Sequence, residues 1–239
     1  MMKNKLKRFI IRPDFRRRTG DFICNFTAVV LGILITFAGT DWMEERKTEN
    51  EIKDALFLVK NELLINREYI KEMMKDEVFQ QRGALYLFQY KDSLDKASPD
   101  SLDRYCNFSL GQQGFLYTND AMEMLKASSL MPAIKDKRLT TQIIKTYKEI
   151  NTAFITFDDF TDTKIEHLRR LTEQAEVQFF LDENENYSPA ELWNVLFKFP
   201  GSIQMLRLMS SMHSNPTQVY EYYLKQIDDT IAAIDEIYK

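Results

Sequence analysis

The sequence predicts an all-α protein: one N-terminal transmembrane helix that continues into an elongated antiparallel helical bundle. Three observations carry that prediction. The 239 residues include only 7 glycines and 6 prolines, against roughly 12% for the two together in an average protein. Sheet-rich sandwiches and barrels need turn residues every 8 to 12 positions or so, and this chain does not supply them. An uncharged apolar stretch lies near the start, and the rest is patterned in threes and fours. With 44% hydrophobic residues the chain fills a core, which argues against global disorder.

Residues 1–21 form a basic segment. Lys3, Lys5, Lys7, Arg8, Arg12, Arg16, Arg17 and Arg18 stand there against Asp14 up to position 19. The whole chain is at −4, so its remainder is strongly acidic. Phe22–Thr40 carries no formal charge and is bracketed by Asp21 and Asp41. As a helix it spans about 28 Å, close to the hydrocarbon thickness of a bilayer, and a helix satisfies its own backbone in lipid. A buried core helix and a cleaved signal peptide, with Thr36 and Ala38 as the small pair before a cut, are the competing readings. The length of the apolar stretch and the Trp42, Arg46 and Lys47 that follow it favour a retained anchor. Arg16, Arg17 and Arg18 invite a twin-arginine reading, but Asp21 stands where that signal needs apolar residues. Basic flanks stay cytoplasmic. The expected topology is a single pass through the inner (cytoplasmic) membrane, with the N-terminus in the cytoplasm and residues 41–239 facing the periplasm. Cys24 in the span and Cys106 beyond it cannot pair within one chain, and Cys106 reads as a buried thiol.

Residues 42–82 lack Gly and Pro, and Ile52, Leu56, Val59, Leu63, Ile70 and Met73 follow 3-and-4 spacing, with Asn66 in the same series. Phe57, Leu64, Ile65 and Tyr69 widen the stripe beyond a coiled-coil seam toward a bundle helix. Gly83–Gln89 continues the helix. Lys91–Asp100 reads as a loop, with Ser98-Pro99 starting a short helix to Cys106. Residues 107–119, with Gly111 and Gly114, are the least regular part. Asn119 caps a helix over Asp120–Leu130. Ala133–Ser188 is the longest stretch without Gly or Pro, with Leu139, Ile143, Tyr147, Ile150, Phe154 and Phe157 on one face and a phase shift before Ile165. Ser188-Pro189-Ala190-Glu191 is a helix start, Pro200-Gly201 breaks that helix, and Asn215-Pro216 opens the last one. Its seam is Tyr220, Leu224, Ile227, Ile231, Ile234 and Tyr238. The long helices number three or four.

At residues 32–47, GILITFAGTDWMEERK, the chain resembles a family of bacterial membrane proteins found chiefly in Bacteroidota, domain of unknown function 6090. Gly32, Ile33, Leu34, Ile35, Trp42, Glu44, Arg46 and Lys47 fit its membrane-exit frame, while Gly39, Thr40, Asp41 and Met43 depart from it. Ala121–Tyr147 resembles its second recurrent stretch more loosely. The resemblance implies the single span and a helical outer domain. It implies no activity, cofactor or catalytic residue.

Candidate sites follow from the residues themselves. Asn25, Ala28, Gly32, Thr36 and Gly39 share one face of the span, where small side chains let membrane helices approach closely. Arg16, Arg17, Arg18, Trp42, Arg46 and Lys47 are expected to anchor the span at the two membrane interfaces. Phe108, Phe115, Leu116 and Tyr117 are the expected exposed apolar patch. Asp158, Asp162 and Glu166 line up at i, i+4, i+8, and read as a solvated acidic face rather than a cation site. His213 reads as a loop residue. There is no CxxC, HExxH, G-x-S-x-G or phosphate-binding glycine loop, so no enzyme, metal or cofactor is expected. The acidic outer part repels nucleic acid. The expected function is a non-enzymatic, membrane-anchored scaffold or interaction module of the bacterial envelope. Its expected partners are lipid and a second copy of itself or another envelope protein. A sensory or ligand-binding bundle working with a separate partner is the alternative.

Overall fold

A computed structural model describes residues 13–110, 114–183 and 186–237, of which 13–25 and 107–110 are described by backbone alone. Every regular element among them is helical. Helix α1 runs Pro13–Tyr90, followed by a 3-10 turn at Leu94–Lys96 and then α2 Pro99–Leu110, α3 Asp120–Ala127, α4 Leu130–Ala133 and α5 Lys137–Thr172. After these come α6 Ala175–Glu183, α7 Pro189–Leu196, α8 Pro200–Ser211 and α9 Pro216–Ile237. Contacts divide the chain into two compact units, Met1–Lys53 and Asp54–Lys239, and α1 contributes to both.

In the first unit, the described part of α1 contains a stretch long and apolar enough to cross a membrane, none of it buried within the protein. A continuous helix satisfies every backbone group there. Thr36 Oγ1 donates to the Gly32 carbonyl at 2.8 Å and Thr40 Oγ1 to the Thr36 carbonyl at 2.9 Å, so both hydroxyls are satisfied by their own helix.

The second unit is organised by a seam on α1. Leu56, Val59, Leu63, Asn66, Ile70, Met73, Glu77, Gln80, Ala84 and Leu87 are all buried, at an unbroken 3-4 spacing that keeps one face turned inward. Phe57, Leu64 and Ile65 are not part of it. They are 52%, 39% and 49% exposed, so the buried stripe is narrower than their hydrophobicity suggests.

Three further legs pack on this seam. The second descends α1 in the opposite direction. Ser98 N–H donates to the Tyr86 hydroxyl, Tyr105 stacks near Phe79, Thr118 bonds Asn66, and Ala121 and Met122 bond Glu62. Gly83 makes room for this leg, since a Cβ there would stand 3.2 Å from the Tyr105 ring. Residues 114–119 within it are non-helical, with Gly114 and Leu116 exposed and Phe115, Tyr117, Thr118 and Asn119 half-buried. The third leg, α5, runs parallel to α1. Glu62 meets Tyr147, Tyr69 meets Phe154, and Gln80 meets Lys164. The fourth, α9, is antiparallel to both. Lys60 pairs with Asp235 at 2.5 Å and Arg67 with Asp228 at 2.7 Å, while Thr146 and Thr230 meet at 2.8 Å. The unit is thus an up-down-up-down bundle of three long helices and one leg that includes α2, the non-helical segment 114–119 and α3. Helices α6, α7 and α8 close one end, around Trp193, Leu196, Val177, Met205, Leu206, Leu171 and Cys106.

Several boundaries differ from the sequence expectation: α2 runs past Cys106 to Leu110, and α3 ends at Ala127 instead of Leu130. Helix α5 ends at Thr172 without Gly or Pro, because Val177 must turn into the end cluster. The Asn119 side chain makes no cap bond; Glu62 caps α3 instead. Pro200 does more than end a helix. It occupies the first turn of α8, where its missing N–H has no partner to lose, and a Cβ at Gly201 would stand 3.2 Å from the Leu171 side chain.

The start of α7 matches its expected form. Glu191 N–H donates to Ser188 Oγ at 3.3 Å, and Ser188 N–H donates to Glu191 Oε2 at 2.7 Å. That backbone bond leads the causes that hold the Glu191 carboxyl below its ordinary range. The carboxylate's contribution is present above pH 4.5 and fades as the pH falls through the depressed folded value. Ser188→Ala is expected to cost about 1 kcal/mol, read as loss of amide protection confined to the first turn of α7. Protection unchanged there would remove the cap from the account.

Candidate functional site

No single catalytic cleft organises the described residues. What the chain presents is an unburied span, an outward apolar face on α1, and two buried polar layers in the bundle.

Of the small-residue face, Ala28, Gly32, Thr36 and Gly39 are exposed on α1. A Cβ at Gly32 or Gly39 would meet nothing within 4 Å, so no contact among the described residues requires glycine at either position. The Asn25 side chain lies outside the described residues, as do those of Arg16, Arg17 and Arg18. At the exit, Trp42 is exposed and the Arg46 guanidinium lies over its ring at 4.2 Å. Lys47 faces Glu51 at 3.8 Å, an exposed pair of small energetic weight.

The outward face of α1 in the second unit holds Phe57 and Leu64, seven residues apart, and Leu58 and Ile65, likewise seven apart. All four are more than one-third exposed. Residues seven apart nearly eclipse along a helix, so the four form one patch, with Asn61 between them in sequence. It lies on the side away from the buried seam.

The expected patch around residue 115 is corrected by the structure. Phe115 packs edge-on to Phe157 at 5.2 Å and Tyr117 against Phe154 at 5.6 Å. Burial pushes the Tyr117 hydroxyl up to about 12. Only Leu116, 73% exposed, faces out, and the Phe108 side chain lies outside the described residues. Leu116 is exposed between half-buried Phe115 and Tyr117, a distinction that a reading by composition cannot make.

The first buried polar layer is fully paired. The Glu62 carboxylate accepts Ala121 N–H at 3.2 Å, Met122 N–H at 3.1 Å and the Tyr147 hydroxyl at 2.8 Å. It thereby supplies negative charge and acceptors to the open first turn of α3. Burial, then this carboxylate, raises the Tyr147 hydroxyl far above its ordinary value. Asn66 donates to the Thr118 carbonyl at 2.7 Å and accepts its N–H at 3.2 Å, which explains an asparagine inside an apolar stripe.

The second layer is not fully paired. Asp76, Glu77, Gln80 and Lys164 are buried. Asp76 Oδ2 accepts from Gln80 Nε2 at 2.5 Å, while its Oδ1 has no hydrogen-bond partner. Lys164 Nζ donates to Gln80 Oε1 at 3.2 Å. Both Glu77 oxygens lie within 3.0 Å of His213 Nδ1. Burial raises the Asp76 carboxyl and lowers the Lys164 ammonium. His213 is therefore more than a loop residue.

Compared with protein-family models, curated proteins and solved structures, the chain matches none.

Among the described residues, no group of three or more His, Cys, Asp or Glu side chains is placed to hold a metal ion. Glu166 is engaged by Arg169 and Arg170, which hold its carboxyl down to about 2. Cys106 is buried in the end cluster, and burial with Asp103 nearby pushes its thiol up to about 12, far from the thiolate that reactive cysteines need. A cleft of about 300 Å3, lined by Leu94, Pro99, Leu102 and Pro189 among others, is open to solvent.

Proposed function

We propose that the chain is a non-enzymatic scaffold or interaction module of the bacterial envelope, held by one membrane helix and assembling with a second copy of itself. On this reading it belongs to the membrane-protein family whose exit motif residues 32–47 resemble. The basic N-terminal segment stays in the cytoplasm beside anionic lipid, and the outer bundle faces the periplasm.

The observation that carries this reading is the outward face of α1. Phe57, Leu58, Leu64 and Ile65 stand exposed around Asn61 on a helix whose opposite side is already packed. Such patches mark interaction sites. Copies inserted by the same basic flank share one orientation, so they meet in parallel. The span adds support, because its glycines have no task within the chain and suit close helix approach.

The test is chemical crosslinking of the full chain in membranes. The native chain is expected to yield a homodimer. Gly32→Leu and Leu64→Glu, made separately, are each expected to reduce the dimer several-fold. Monomer alone from the native chain, with no other protein captured, would sink the reading.

The sensory alternative draws on a different observation, the incompletely paired polar layer within the bundle. On that reading the bundle works with a separate partner.

A further inference from the structure

We propose that the cleft between the start of α2 and the start of α7 binds a small organic cation, a short hydrocarbon chain ending in an ammonium group. The proposal does not depend on self-association.

The cleft encloses about 300 Å3, the lower end of the range in which proteins hold small molecules. Its apolar lining comes from two walls. The 3-10 turn and the start of α2 supply Leu94, Ala97, Pro99 and Leu102, and α7 supplies Pro189 and Ala190. Leu94 belongs to the end cluster, and Leu102 and Ala190 pack against that cluster. A hydrocarbon chain in the cleft therefore rests on a packed surface.

Both walls are ordered before any ligand arrives. Lys96 N–H donates to the Ser93 carbonyl at 3.0 Å, Ala97 N–H to the Leu94 carbonyl at 3.1 Å, and Leu102 N–H to the Ser98 carbonyl at 2.9 Å. Ser98 N–H donates to the Tyr86 hydroxyl at 3.1 Å, which ties this wall to α1. The facing wall carries the reciprocal cap of Ser188 and Glu191. Pro99 and Pro189 bring no N–H that needs a partner. A site fixed in advance loses little conformational freedom on binding.

The charge of the lining gives the ligand its sign. Asp95 and Asp103 line the cleft, and among the described residues no Lys, Arg or His does. Two neighbouring bases are engaged elsewhere. Lys91 bonds Asp92, and the Arg104 guanidinium lies over the Phe79 ring at 5.6 Å. Lys96 is exposed and is not part of the lining. The helix dipole does not account for Asp103. Asp100 is the acid in the first turn of α2, where a carboxylate is favoured, and that effect fades beyond the turn. After burial, the Asp103 carboxylate is what raises the Cys106 thiol, so it lies within reach of the end cluster. Above an apolar floor its attraction for a cation is stronger than in open water, and an anion of the same shape is repelled.

Methyl NMR of the full chain in nanodiscs of zwitterionic lipid tests this, with leucine and alanine methyls labelled. The probes are n-hexylammonium, n-hexanol and hexanoate. Hexylammonium is expected to shift Leu94, Ala97, Leu102 and Ala190 saturably, with a millimolar or tighter dissociation constant. Leu63 and Leu139, buried in the bundle, should not respond. Hexanoate is expected to bind at least tenfold more weakly than hexylammonium, with hexanol between them. Asp95→Asn combined with Asp103→Asn should weaken hexylammonium about tenfold and leave hexanol unchanged. Both side chains are exposed, and retained hexanol binding shows that the double variant is folded. Absence of a saturable shift at the four lining residues overturns the site. Equal binding of hexylammonium and hexanoate overturns its preference for a cation, and so does undiminished hexylammonium binding in the double variant.

Discussion

Replacing Glu62 with alanine is expected to destabilise the outer bundle by about 4 kcal/mol. Three donors lose their acceptor together: the N–H groups of Ala121 and Met122 and the Tyr147 hydroxyl. Each buried donor left unsatisfied costs about 1–3 kcal/mol, and the lost bonds belong to a charged partner, the stronger kind. For a unit of this size the melting temperature should fall by roughly 10 °C. Glu62→Gln keeps one carbonyl oxygen as acceptor and should cost about 1–2 kcal/mol. Urea unfolding of the detergent-solubilised chain, followed by circular dichroism, reads both. A loss under about 1 kcal/mol for alanine would mean that water replaces the carboxylate, and the layer would lose its place in the account.

The second large effect belongs to Trp193, which is fully buried in the end cluster and lies 5.2 Å from the Phe197 ring. Trp193→Ala is expected to cost about 4 kcal/mol through lost burial and the cavity left behind. Trp193→Phe should cost far less, about 1 kcal/mol. The reason is specific. The indole Nε1 has no hydrogen-bond partner, so phenylalanine removes a buried unsatisfied donor along with some volume. Equal losses in the two variants would show that the indole nitrogen is paired with water.

Local signals in the sequence translated well into elements. Ser98-Pro99, Ser188-Pro189 and Asn215-Pro216 each stand at a helix start because proline fixes the backbone of a first turn. The α1 seam from Ile52 to Met73 was legible from spacing alone, and the polar member of that series, Asn66, falls where residue 118 crosses it. What spacing cannot say is which apolar residues beside a seam find a neighbour. Phe57 and Phe115 look alike in sequence, yet one is exposed and the other lies on Phe157. The cap of α3 was illegible because its donor and acceptor sit about sixty residues apart. The break after Thr172 was illegible because packing of Val177, and no local breaker, imposes it.

The same reasoning applies to the candidate sites. That Gly32, Thr36 and Gly39 share one face of α1 was readable from their spacing, whereas the Arg46 guanidinium over the Trp42 ring was not. The second polar layer was not. Asp76 and Glu77 occupy consecutive positions where the apolar 3-4 pattern of α1 lapses, and that lapse was the only signal. His213, 136 residues away from Glu77, offered nothing to connect with it.

The cap on α3 also bears on the order of assembly. An eight-residue helix is too short to persist alone in water, and its open N–H groups find their acceptor on α1. Helix α3 is therefore a late element of folding. It forms after the first leg exists as a template, and closing the intervening loop precedes any gain from its own hydrogen bonds. During synthesis the emerging chain carries α1 complete before residue 120 appears, so the template is in place when the short helix needs it.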